Sequence, residues 1–169
     1  MALIVENGTG IENADSYVSI LEIDQYAEAF GNTAWLALGT PAKEINARKA
    51  TRFLDNNYPW PGTPKFPIQS LFFPATGVEV RGSAVYGVPR QIKNAACELA
   101  LISQTKDLTS TATSKSLIEK RIKAGDFEKT EKYSSATSDN AFAAVEMIIA
   151  PLLSGKIGKG LTLVKIGRA

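Results

Sequence analysis

A chain of 169 residues with 44% hydrophobic composition suffices for one ordinary globular domain and requires no second. Its 19 basic and 17 acidic residues leave a formal charge of +2, too near balance for a domain dedicated to nucleic acid, so any DNA contact should be local. With no histidine and one cysteine, Cys97, the chain lacks the residues for a Cys/His zinc site, for Ser-His-Asp or Cys-His nucleophile systems and for an internal disulfide.

The opening Leu3, Ile4 and Val5 is apolar and partly β-branched and stops at Asn7-Gly8-Thr9-Gly10, which predicts a short strand or an extended N-terminal arm. It has neither the basic start nor the apolar length of a signal peptide, and no later run spans a bilayer, so the chain reads as soluble and cytosolic when made. Ser19-Ile20-Leu21-Glu22 has the form of a capping box and predicts a helix that ends at Gly31. Its apolar stripe is Ile20, Ile23, Tyr26, Ala27 and Phe30, which puts Asp24 and Glu28 on a solvated face. A helical turn is expected over 33–38. Thr40 as N-cap with Pro41 at the first helical position then opens a helix to about Asn56. Ala42, Ala50, Phe53 and Leu54 form its expected buried side; Glu44 pairs with Arg48, and Arg48 and Arg52 face outward.

Pro59, Pro61, Pro64 and Pro67 forbid a helix through the next segment and make it a stiff loop. The aromatic residues here and in Leu71-Phe72-Phe73-Pro74 need a surface to cover, so this loop is expected to pack on the helices or on another subunit. Val88-Pro89 opens a third long helix with Ile92, Ala95, Ala96, Leu99 and Ile102 on one stripe, the candidate for the most buried element. A Ser/Thr-rich stretch leads to a β-hairpin over about 116–133, turning at Ala124-Gly125-Asp126 and expected to project from the body. Ser138 or Asp139 caps a last helix through Phe142, Val145, Ile148, Ile149, Leu152 and Leu153, with Pro151 in its final turn and Gly155 at its end. One helical domain over 1–155 is thus followed by an extended C-terminal arm over 156–169. The arm holds four basic residues (Lys156, Lys159, Lys165, Arg168) and no acid. Its aliphatic Leu161, Leu163, Val164 and Ile166 have too few neighbours to bury them alone.

The glycine-rich run Gly155-Lys156-Ile157-Gly158-Lys159-Gly160 is followed by Leu161, and so fails the phosphate-loop pattern. No catalytic residue, metal ligand or cofactor is expected, and the protein reads as a non-enzyme.

Leu3-Ile4-Val5-Glu6-Asn7-Gly8-Thr9-Gly10, Ala14-Asp15-Ser16-Tyr17-Val18-Ser19, Ala34-Trp35, Lys49-Ala50-Thr51-Arg52-Phe53-Leu54-Asp55, Trp60-Pro61-Gly62, Phe73-Pro74, Val88-Pro89 and Cys97-Glu98-Leu99-Ala100 follow one another across nearly the whole chain. In that order they resemble a family of small phage and prophage proteins encoded among head-tail joining proteins. Its members are often labelled DnaT-like single-stranded DNA-binding proteins, and their helical layout also looks like that of head-tail connector, or adaptor, proteins.

The resemblance therefore implies two functions. As an adaptor, the chain would be a mainly α, head-tail-connector-like subunit of a homo-oligomeric ring, roughly twelve-fold, in the neck of a virion after assembly in the host cytoplasm. It would bind the portal protein and tail, stopper or terminator proteins, contact genomic DNA in the channel non-specifically and touch no membrane. Docking to neighbour or portal would fall to Lys156, Lys159, Leu161, Leu163, Val164, Lys165, Ile166 and Arg168, and to the N-terminal Leu3, Ile4 and Val5. The two terminal segments pairing with each other is the bland alternative. As a single-stranded DNA-binding protein, the chain would offer Tyr58, Trp60, Phe66, Phe72 and Phe73 as stacking faces beside Lys65, Arg81 and Arg90.

Overall fold

The computed structural model describes residues 2–108, 120–124, 127–131 and 142–157. Among these the chain is mostly helical: α1 (Ile20–Ala29), α2 (Thr33–Leu36), α3 (Thr40–Asn57), α4 (Arg90–Ile102) and α5 (Ala143–Ile157). Three antiparallel strand pairs accompany them: β1 (Thr63–Pro64) with β2 (Ala75–Thr76), β3 (Glu79–Val80) with β4 (Ser83–Ala84), and β5 (Lys120–Ala124) with β6 (Phe127–Glu131). Four long helices with a β-hairpin is the expected fold class.

The helix starts follow local chemistry. Ser19 Oγ accepts from the Glu22 amide at 3.2 Å while Glu22 Oε2 accepts from the Ser19 amide at 2.7 Å, the reciprocal pair anticipated for α1. Gly31, at φ +70°, follows the end of that helix in a left-handed conformation that suits glycine. In α3 the N-cap is Gly39 rather than Thr40, which is already helical; the cap makes no side-chain bond.

α4 sits in the middle, packed against α1, α3 and α5. Ile92, Ala95, Ala96 and Leu99 are fully buried, as its stripe predicted, while Ile102 is half-buried. On α3 the buried side differs from the expected one. Lys43, Asn46, Ala47, Ala50, Thr51 and Leu54 are buried, whereas Ala42 and Phe53 are half-buried. Polar groups are tolerated there because partners reach them: Thr51 Oγ1 accepts from the Tyr17 amide at 3.2 Å, and Lys43 Nζ donates to Asp24 Oδ1 at 2.8 Å. Asp24 also accepts from Trp35 Nε1 at 2.7 Å, so it joins α1, α2 and α3 rather than lining a solvated face with Glu28. Arg48 is likewise tied down, to Asp15 at 2.7 Å and Glu44 at 3.5 Å.

The N-terminal segment lies along its own chain. Val5 forms a parallel bridge with Ser16, and the Glu6 amide donates to Ser16 O at 2.8 Å. The fully buried Glu6 carboxylate holds the following turn, accepting from the amides of Gly8, Gly10 and Ile11 at 2.7–2.9 Å. The hairpin's register sets Lys120 opposite Glu131 and Lys123 opposite Glu128. α5 continues through Gly155 to Ile157 with Pro151 inside it, past the expected end. Ser138, Asp139 and the arm residues Lys159, Leu161, Leu163, Val164, Lys165, Ile166 and Arg168 lie outside the described residues.

Candidate nucleic-acid interface

The proline-rich loop folds inward, and its rings form a connected array. Trp60 and Phe73 meet edge to face at 5.4 Å; Phe73 also meets Tyr17 at 6.2 Å and Phe72 at 5.3 Å. Tyr58 links Trp60 at 5.5 Å to Phe53 at 6.2 Å, and Phe53 stacks on Phe142 at 5.0 Å. Such contacts add to the apolar area each ring removes from water. Trp60 is 5% exposed and its Nε1 donates to the Leu54 carbonyl at 3.0 Å; Phe73 is 1% exposed.

A polar latch closes the same loop onto α3. Tyr17 donates its hydroxyl hydrogen to Asp55 Oδ1. Asp55 Oδ2 accepts from the Phe72 amide at 3.0 Å, and the Tyr17 oxygen accepts from the Phe73 amide at 3.1 Å. Burial raises the Asp55 carboxyl above its ordinary value in spite of these bonds, and raises the Tyr17 hydroxyl too, helped by the Asp55 charge. Burial and the charge of Glu146 push Tyr58 up to about 12.

The residues expected to stack on single-stranded DNA are therefore split. Trp60 and Phe73 present no face to solvent, and Tyr58 and Phe72 are half-buried against the core. Lys65 is exposed, with Nζ 5.2 Å from the centre of the half-buried Phe66 ring. Arg81 is exposed at the turn between β3 and β4. Leu3, Ile4 and Val5 are half-buried, with Leu3 packed on the core. Lys156 belongs to the last turn of α5.

Arg90 belongs to a different feature, an open groove between α1 and α4. Its volume is about 320 Å³, and it is lined by Val18, Glu22, Gln25, Tyr26, Arg90, Lys93, Asn94 and Cys97. Two side-chain bonds join the helices across it. Lys93 Nζ bonds Glu22 Oε1 at 2.7 Å near one end, and the Tyr26 hydroxyl donates to Glu98 Oε2 at 3.1 Å near the other. Burial alone would raise the Glu22 carboxyl, but the bonds from Lys93 and Ser19 outweigh it and hold the carboxyl below its ordinary value. At the groove wall, burial pushes the Cys97 thiol up to about 12. One exposed aromatic ring adjoins the groove and another precedes it in the chain. Phe30, 71% exposed, lies against Tyr26 with ring centres 4.6 Å apart, and Tyr86, 86% exposed, stands in the chain just ahead of Arg90.

Sequence reasoning placed Tyr26 and Phe30 on the core stripe and did not single out Asn94, Gln25 or Tyr86. The recurrence of Arg90, Lys93, Asn94 and Cys97 along one side of α4 was visible; that α1 leaves this side partly open was not. Among the described residues no group of His, Cys, Asp or Glu side chains is placed to hold a metal ion, and no helix is long and apolar enough to cross a membrane.

A family model described as "Putative DnaT-like ssDNA binding protein" matches residues 1–169. No curated protein and no solved structure matches the chain.

Proposed function

The chain belongs to that family over its full matched length, and on this premise we propose that it binds single-stranded DNA without catalysing a reaction on it. The whole-length family match carries the reading. In support of it, the α1–α4 groove combines what sequence-tolerant strand binding needs, the exposed Phe30 ring lying against Tyr26 in its wall and the cations Arg90 and Lys93 in its lining. Lys65 and Arg81 are further exposed cations for the strand's phosphates. With a net charge of only +2, affinity rests on this local set and falls steeply with salt. Binding of a labelled oligothymidylate, followed by fluorescence anisotropy across a salt series, tests the proposal. Binding that weakens with salt and prefers single strand to duplex is expected; no binding at low salt would end the proposal.

A second reading is the ring-forming adaptor between portal and tail, in the virion neck, with the C-terminal arm as its docking segment. The burial of Trp60 and Phe73 favours it, because those rings serve the fold and leave less aromatic surface for a strand. Light scattering of the protein mixed with portal rings separates the two: a ring-sized gain in mass supports the adaptor, and unchanged portal mass removes it.

A further inference from the structure

Resting on the strand-binding reading, we infer that the α1–α4 groove is the seat for one nucleotide unit of the strand, with Arg90 on the phosphate and Asn94 and Gln25 on the edge of the base. Size sets the first limit. A groove of about 320 Å³ lies at the small end of the range for small-molecule sites, with room for one nucleotide and none for a duplex.

The second argument is which polar groups are already engaged. Glu22 is held by Ser19 and Lys93, and Glu98, just beyond the groove, by the Tyr26 hydroxyl. The side chains of Arg90, Asn94 and Gln25 make no hydrogen bond or ion pair with other described residues, so their donors and acceptors are left to solvent or ligand. A guanidinium fork matches a phosphate, and a carboxamide, carrying donor and acceptor together, matches the edge of a base. The carboxylate of Glu98 beside Tyr26 disfavours a phosphate at that end of the groove, and at the other end Lys93 offsets the charge of Glu22, which leaves the phosphate to the Arg90 end. Phe30 against Tyr26 continues the apolar surface on which a neighbouring base can stack.

The test uses the full chain, labelled oligothymidylate and a salt series with wild type, Asn94→Ala, Arg90→Ala and, as a control on the exposed face of α3, Lys49→Ala. Asn94→Ala should weaken binding about tenfold with the salt slope unchanged, the signature of a base contact. Arg90→Ala should weaken it and lower the slope by about 0.7, the signature of one phosphate lost. Lys49→Ala should change affinity less than about twofold. Wild-type binding that both groove variants retain overturns the groove site and leaves strand binding standing. Absence of wild-type binding overturns strand binding itself.

Discussion

Alanine in place of Phe73 or Trp60 should be a folding lesion rather than a binding lesion. Phe73 is 1% exposed and touches the rings of Tyr17, Trp60 and Phe72; Trp60 is 5% exposed and also bonds the Leu54 carbonyl. Truncating a buried aromatic side chain leaves a cavity and costs about 3–5 kcal/mol. Since a domain is stable by roughly 5–15 kcal/mol in total, one such change removes about a fifth of it or more. Urea denaturation followed by far-ultraviolet circular dichroism reads the effect. With a slope of about 1–3 kcal/mol per molar, the midpoint should fall by about 1 M or more. Tyr86→Ala, at a ring 86% exposed, should stay within about 0.5 kcal/mol of wild type. A Phe73→Ala or Trp60→Ala protein with the wild-type midpoint would refute the core assignment and return both rings to the candidates for stacking.

Gly62, at φ +83°, would place a Cβ 2.1 Å from the Thr76 carbonyl oxygen, while Gly31, at φ +70°, has open space around it. Thermal melting should therefore show Gly31→Ala costing about 1–2 kcal/mol from backbone conformation alone. Gly62→Ala should cost clearly more, on the order of 3 kcal/mol or above, and equal losses would count against the close approach of Gly62 to Thr76. The two perturbed carboxyls should act oppositely on the pH dependence of stability. Glu22, lowered in the fold, contributes above the ordinary carboxylate range and loses that contribution as pH falls through its folded value; Asp55, raised in the fold, becomes less costly as pH falls through its folded value. Relative to wild type, Glu22→Gln should flatten the acid loss of stability and Asp55→Asn should steepen it, and a reversed pair of slopes in urea titrations from pH 3 to 7, about the carboxylate range, would show the assignments to be wrong. Cys97, 4% exposed with its thiol pushed up to about 12, should label slowly with a thiol reagent at neutral pH and rapidly in denaturant. Fast labelling of the folded, unliganded protein would contradict that.

Much of the fold was legible in the sequence because it rests on near neighbours. The capping box of Ser19 and Glu22, the start of α4 after Pro89 and its stripe from Ile92 to Leu99 are read over spacings of three and four residues, which a helix brings together by its own geometry. The register of the hairpin follows from the pleat and the turn in the same way. The proposed site was only half legible. α4 carried Arg90, Lys93 and Asn94 in plain spacing, but the groove exists because α1 lies alongside, joined by contacts such as Lys93 to Glu22.

What the chain by itself determined is therefore the order and type of its helices, the stripe of α4 that is buried, and the chemistries that lack of histidine and a lone cysteine put out of reach. Only the tertiary structure decided that Trp60 and Phe73 are core rather than surface, that Asp24 joins three helices instead of facing solvent, and that the N-terminal segment pairs with Ser16 of its own chain. Each of those outcomes depends on partners brought together by folding, as Tyr17 and Asp55 are across 38 positions of sequence. An aromatic or a carboxylate carries no local mark of whether it will be buried, because burial is settled by which distant surface arrives to cover it.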